Sequence, residues 1–325
     1  MIHPKKFRAK KIGSPFFRIL FSLFFGVIIA VLLFVYTSPS SLDSRVTIVI
    51  SGNPVHVWSF DPVDRNIINV IIPAATVIDG AYGYGLYSLS ALWKLGRIEG
   101  KPGIVLADSV ANALGIPIAL HIGNANDAPL SVEPGLSGLK DVFSWSGMLK
   151  FLNNSYTTNI SLRKVAALTL LSQSIKQDSI RTFDFTKRSV TYDSELPDNT
   201  IQKIMDTQMV DAIIDHVFED TDIRKEALSI ALYNTTAIPA LATRAARFLT
   251  SAGMLVITVE NAKGSLKACE ISGVESMKKT KTVSVIRSML QCEFVPTEEY
   301  SSADITVKIG SDFATRYIAK KDAHN

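Results

Sequence analysis

The chain has 325 residues, 47% of them hydrophobic and 20% charged, which excludes a disordered chain and leaves room for two folded domains. Two cysteines exclude a disulfide-rich scaffold and a four-cysteine zinc site. The net charge is +4, but Lys5, Lys6, Arg8, Lys10, Lys11 and Arg18 supply six positives before residue 37, where there is no acid, so the rest of the chain stands at −2. The folded part therefore gives no argument for nucleic-acid binding.

The first predicted element is a membrane anchor. Residues 19–36, ILFSLFFGVIIAVLLFVY, carry no charge. As a helix they span about 27 Å, and Phe16 and Phe17 extend this toward the ~30 Å of a hydrocarbon core. The basic tail, residues 1–18, sets the N-terminus in the cytoplasm and everything after Tyr36 outside. A cleaved signal peptide fits less well. The apolar run exceeds the usual ~15 residues, and Thr37-Ser38-Pro39-Ser40-Ser41 offers no small-residue cleavage site.

A Ser/Pro-rich linker, 37–44, follows. Residues 46–50, 55–60 and 67–72 read as strands, being short, rich in β-branched residues and bounded by Gly52-Asn53-Pro54, Asp61-Pro62 and Pro73. Apolar periodicity predicts helices over 84–95 and 103–114, stopped by Gly96 and Gly115. A strand is expected after Gly115-Ile116-Pro117-Ile118, a loop over 123–138, and helices near 140–152, 162–176 and 199–218. This alternation predicts an α/β domain with its sheet covered on both faces. A second, smaller α/β unit begins near Lys225. Its strands are expected at 228–233, 254–259, 266–271 and 305–309, and its helices from Pro239 to Gly253 and over 282–290.

Most catalytic signatures are absent: there is no GxxxxGK[ST], HExxH, GxSxG or EF-hand loop. Gly80-Ala81-Tyr82-Gly83-Tyr84-Gly85 reads either as a phosphate-cradling loop or as a turn entering a helix. His56 and His121 fall in strand-like runs and read as core or surface histidines. No histidine has a partner at metal-ligand spacing. Asp211 and Asp215, at i and i+4, read as a solvated acidic face.

Two stretches resemble known families. Ala231-Leu232-Tyr233-Asn234-Thr235-Thr236, Leu241-Ala242-Thr243-Arg244-Ala245-Ala246, Ser251-Ala252-Gly253, Val259-Glu260-Asn261-Ala262 and Ala303 to Phe313 resemble, in order, the LytR C-terminal domain of bacterial cell-envelope proteins. The resemblance spans 225–317, with Thr235 where that family has glycine. Ser59-Phe60-Asp61-Pro62, Ile71-Ile72-Pro73, Ile78 to Gly85, Leu114 to Ile118 and Thr158 to Leu162 resemble the LytR-CpsA-Psr (LCP) family over 45–222. The resemblance implies an α/β/α sandwich carried outside the cell on an N-terminal anchor. It also implies transfer of glycopolymers from a polyprenyl-pyrophosphate carrier to peptidoglycan, with arginines and aspartates holding the pyrophosphate and magnesium.

The residues that chemistry needs are missing here. Ala74-Ala75 replace the family's Arg-Asp pair, Gly52-Asn53-Pro54-Val55 fall where an upstream Arg and Asp belong, Val77 replaces a lysine, and 119–157 contain no arginine. No catalytic, cofactor or metal residue is therefore assigned. The reading is a degenerate, non-catalytic LCP-like envelope protein of the cytoplasmic membrane. It passes the membrane once with its C-terminal domains outside, and binds cell-wall glycopolymer, a polyprenyl-linked precursor or an envelope partner. The alternative is an active LCP-type phosphotransferase using magnesium, for which three of Arg65, Arg97, Arg163, Arg181, Asp79 and Asp108 would have to converge in one pocket. Cys269 and Cys292 are a disulfide candidate outside the membrane; two buried free thiols are the other reading.

Overall fold

The computed structural model describes residues 19–26, 29, 45–298 and 302–318, in two compact units, 1–41 and 42–325. In the first unit, residues 19–26 form helix α1. This covers the start of the predicted span 19–36; apart from residue 29, the remainder lies outside the described residues. Among the described residues no helix is long and apolar enough to cross a membrane.

The second unit is mixed α/β. Strands β1 (Val46–Ile50), β2 (Val55–Phe60) and β3 (Ile67–Ile72) form an antiparallel meander where the β-branched runs predict it. β6 (Leu120–Asn124) joins β1 in parallel, β7 (Tyr156–Thr158) joins β6, and β8 (Ile180–Asp184) joins β3, which gives the order β7-β6-β1-β2-β3-β8. The first three strands are almost wholly buried because apolar side chains of both parities have somewhere to go. Val49, Val57 and Val70 face helices α2 (Leu89–Ile98) and α3 (Ile104–Leu114). Ile48, Ile50, Trp58 and Phe60 face α4 (Leu136–Val142), α5 (Trp145–Leu152) and α6 (Leu162–Ser174).

A smaller sheet, β5-β4-β10-β9, stands beside it. It corrects two sequence expectations. The helix predicted from Tyr84 begins only at Leu89, because Gly85–Ser88 (β5) pairs back on Val77–Gly80 (β4). The helix predicted over 199–218 is strand β10 (Ile201–Met205), paired with β9 (Thr191–Glu195), followed by a short α7 (Thr207–Ile214) capped by Asp206. Helix α8 (Thr221–Glu226) leads to the C-terminal sheet.

That sheet runs β12-β11-β15-β13-β14, with β11 (Ser229–Asn234) and β15 (Ile305–Ile309) side by side at its centre. β12 is Leu255–Asn261, β13 Glu270–Gly273 and β14 Glu293–Pro296. Helices α9 (Leu241–Ser251), α10 (Lys281–Leu290) and α11 (Ser311–Tyr317) bury Leu241, Phe248, Val283, Ile286 and Phe313 in its core. Cys269 and Cys292 are joined as a disulfide with their Cα atoms 4.3 Å apart. Thr235, the departure from the resembled motif, is buried and donates its hydroxyl to the Ile309 carbonyl, 2.8 Å away.

Candidate functional site: a cationic cavity at a seam

The apolar core that covers one face of the six-stranded sheet continues without a break into the C-terminal sheet, from Val49 and Val70 to Leu232 and Val307. Two arginines of the C-terminal part close this seam on α3. Arg247 of α9 donates to the Asn112 and Ala113 carbonyls at 2.6 and 2.9 Å, where a helix end leaves carbonyls unpaired, and its Nε reaches Asp211 at 2.8 Å. Asp211 is thus an ion-pair partner rather than part of a solvated acidic face. Asp215 caps the end of α7 and pairs with His216.

Arg316 of α11 pairs with Asp108, which is buried in the middle of α3. The second Asp108 oxygen accepts from the Tyr82 hydroxyl at 2.6 Å, and Lys101 lies 3.7 Å above the Tyr82 ring. Burial alone would lower the Arg316 pKa, but Asp108 outweighs it and the guanidinium is raised. Burial and Asp108 raise the Tyr82 hydroxyl. Sequence reasoning placed Asp108 in a helix but had no signal for Arg316, which comes from the other end of the chain.

Beside this network lies a cavity of about 260 Å³. Its wall on the sheet side is the start of β1, the segment leading into β6, and Lys164 in the first turn of α6. Val285, Ser288 and Met289 of α10 line the cavity as well, with Arg316 and Tyr317 of α11. Ile118, Phe218 and Ile223 make the surface largely apolar. Three cations line it. Arg45 binds Asp61 at 2.8 Å, keeps a buried Nε without a partner, and has its pKa lowered by burial against the pull of Asp61. Arg316 is held by Asp108 from behind. Lys164 makes no ion pair among the described residues. The lining acid, Asp220, accepts from the first amides of α8 through one oxygen, Oδ1, and its charge also pulls on Arg45. The volume falls just below the usual range of ligand pockets, about 300 to 1,000 Å³, so it suits one headgroup rather than a polymer. No histidine is among the described residues that line it. The arrangement can hold an anion against an apolar surface.

The six charges weighed above sit on separate elements, and none lines this cavity. Arg97 pairs with Asp127, Arg181 lies over the Phe183 ring, Arg65 turns the β2–β3 hairpin, Arg163 begins α6, Asp79 is on β4, and Asp108 is taken by Arg316. At the end of β3, Ala74 is buried and Ala75 exposed, and the Ala74 carbonyl accepts from Ser90. Position 52 admits only glycine, since a Cβ there would stand 2.3 Å from the Leu130 carbonyl oxygen. The neighbouring acid, Asp184, already serves Thr186 and Lys187. This edge does not fit magnesium. The glycine-rich run 80–85 is the β4–β5 connection, and its Ala81 amide is spent on the Ser109 hydroxyl at 2.8 Å.

Residues 227–313 match the family described as LytR cell envelope-related transcriptional attenuator. This segment is the C-terminal sheet with its helices, and it contributes Val285, Ser288 and Met289 to the cavity. No curated protein sequence matches the chain. Among solved structures the chain is similar to TagV of B. subtilis, with 13% identity over 52% of this chain and 94% of that one and a TM-score of 0.39. Lin1025 of Listeria innocua gives 9%, 53%, 95% and 0.40. TagT of B. subtilis gives 11%, 54%, 89% and 0.37.

Proposed function

We propose that the chain is a membrane-anchored cell-envelope protein whose folded part lies outside the cytoplasm and binds, without turning over, an anionic envelope ligand. The ligand class is a cell-wall glycopolymer or its polyprenyl-linked precursor, taken by a phosphate or carboxylate group. The observation that carries this is the cavity itself, where three cations, two of them held by carboxylates, meet an apolar wall. The matched segment 227–313 supports the envelope assignment, and the uncharged run 19–36 behind its basic tail supports the anchor. Ala74 and Ala75 support binding over catalysis. Two phosphates held against their mutual repulsion need guanidinium forks, each worth about 1.5–3 kcal/mol as a charge-assisted bond.

The test is retention of labelled lipid-linked precursor by the detergent-solubilised full chain. Lys164→Ala should weaken retention several-fold, and neither hydrolysis nor transfer should occur with or without magnesium. Equal retention by the variant removes the cavity from the account. Magnesium-dependent turnover by the unmodified chain would put the transferase reading first. Protease added outside intact protoplasts should remove the C-terminal part; its protection would refute the topology.

A further inference from the structure

Helix α5 carries apolar side chains on two faces. Gly147 and Phe151 are buried under the six-stranded sheet. Trp145, Leu149 and Leu152, at i, i+4 and i+7, form a second stripe that points outward, with 63, 61 and 55% of each residue exposed. Such a stripe adds nothing to the core, and contiguous exposed apolar surface marks a contact site. The other two tryptophans, Trp58 and Trp93, are buried. Neighbouring α6, whose Ser172 hydroxyl bonds the Phe143 carbonyl just before α5, exposes Leu162 and Leu170 as well.

Charge selects the occupant. Residues 136–180, which hold α4 to α6, carry Lys140, Lys150, Arg163, Lys164 and Lys176 against Asp141 and Asp178, in a chain whose total after residue 36 is −2. A tryptophan and leucines on a surface with a net excess of cations match the headgroup boundary of an anionic bilayer, where aromatic rings sit at the interface and lysines meet phosphate. Reach agrees. Eight residues, 37–44, separate the predicted anchor from Arg45, and an extended chain covers at most about 3.5 Å per residue, so this linker spans no more than about 28 Å. Arg45 shares the cavity wall with Lys164, which places the start of α6 at the end of the sheet where the linker enters.

We infer that the outward face of α5, with the start of α6, rests on the anionic outer surface of the membrane that anchors the chain. The inference takes its tether from the proposed anchor and adds a second, reversible membrane contact. It sets the height and orientation of the cavity over the lipid.

The full chain reconstituted into vesicles tests both separately. Flotation that survives a high-salt, alkaline wash reads the anchor. Quenching of Trp145 by brominated lipid chains reads the face, with Trp145→Phe as the blank for Trp58 and Trp93. In vesicles of equal phosphatidylcholine and phosphatidylglycerol, Trp145 emission should shift to the blue and be mostly quenched. The effect should be weaker in phosphatidylcholine alone, weaker in high salt, and largely lost in Leu149→Ser/Leu152→Ser. Flotation with equal quenching of the unmodified chain and the Trp145→Phe blank overturns the inference and leaves the anchor standing. Failure to float after that wash removes the anchor, and the face must then bind the mixed vesicles on its own; absence of quenching there overturns it too. A blue shift in detergent alone that grows with protein concentration assigns the face to a second copy and overturns it equally.

Discussion

Gly103 opens α3 with φ +73, and a Cβ added there would stand 2.1 Å from Cδ2 of the His121 ring. Both the backbone and the space demand glycine. Gly103→Ala should cost about 2–4 kcal/mol, from a left-handed alanine and a displaced imidazole, and denaturant unfolding checks this. His121 itself is a pH sensor of stability. Burial pushes it down to about 4, against the pull of Asp108, whereas an unfolded histidine titrates near 6.5. The unfolded chain therefore takes up the proton first. Stability is complete above about pH 6.5 and declines by about 3 kcal/mol as pH falls toward 4. His56, lowered by burial although Asn69 bonds it, slopes the same way. Urea midpoints followed across that window should fall, and less steeply in His121→Gln; a slope unchanged in the variant would assign the effect elsewhere. The sequence showed that Gly103 starts a helix and that His121 lies in a strand. That one packs on the other was not visible, because the strand reaches the helix only through the fold.

At the scale of elements, local pattern was enough where a segment's own periodicity agrees with its partners. The β-branched runs of β1 to β3, the helix before Gly115 and the α9 face between Pro239 and Gly253 are such cases. It failed for β5 and β10. Residues 85–88 fell inside the helix expected over 84–95, yet Gly85–Ser88 is held extended by pairing with β4, and Ile201–Met205 by β4 and β9. Only the β10–β4 pair spans more than a hundred residues and leaves no local mark; β5 on β4 and β10 on β9 are local hairpins whose short runs overlap a helical spacing of apolar residues. The cysteines fall between these extremes. Spacing allowed a bridge, and register makes it close: Glu270 pairs with Glu293 on parallel neighbours, so Cys269 and Cys292, one residue earlier on each, stand opposite. The bridge closes the β13–α10–β14 crossover. Thiol titration of the denatured, unreduced chain should find no free cysteine. Cys269→Ser/Cys292→Ser should lose about 3 kcal/mol on the chain-entropy account; two titratable thiols would refute the link.

For the whole molecule, the C-terminal segment was legible by resemblance, but its fusion with the preceding sheet was not. The seam is made by Arg247 with the end of α3 and by Arg316 with its middle, pairs separated by 135 and 208 positions in the chain. The acid that holds Arg247 looked like an ordinary solvated residue. The consequence is thermodynamic. A core that runs from Val49 to Ile318 without interruption gives the two sheets no independent way to unfold. Trp58 and Trp93 report on the first sheet, and the segment after Lys225 contains no tryptophan, so amide exchange in β11 and β15 must report on the second. Both should lose structure at one denaturant midpoint. Arg247→Met keeps much of the side-chain volume but abandons two helix-end carbonyls and Asp211 at a partly exposed site. It should lower stability by about 2 kcal/mol and move that shared midpoint down without splitting it. If exchange in β11 and β15 collapses while Trp58 stays buried, the C-terminal sheet is a separable module. The cavity at the seam would then open and close with it, and ligand retention should fall in the same variant although Arg247 does not line the cavity.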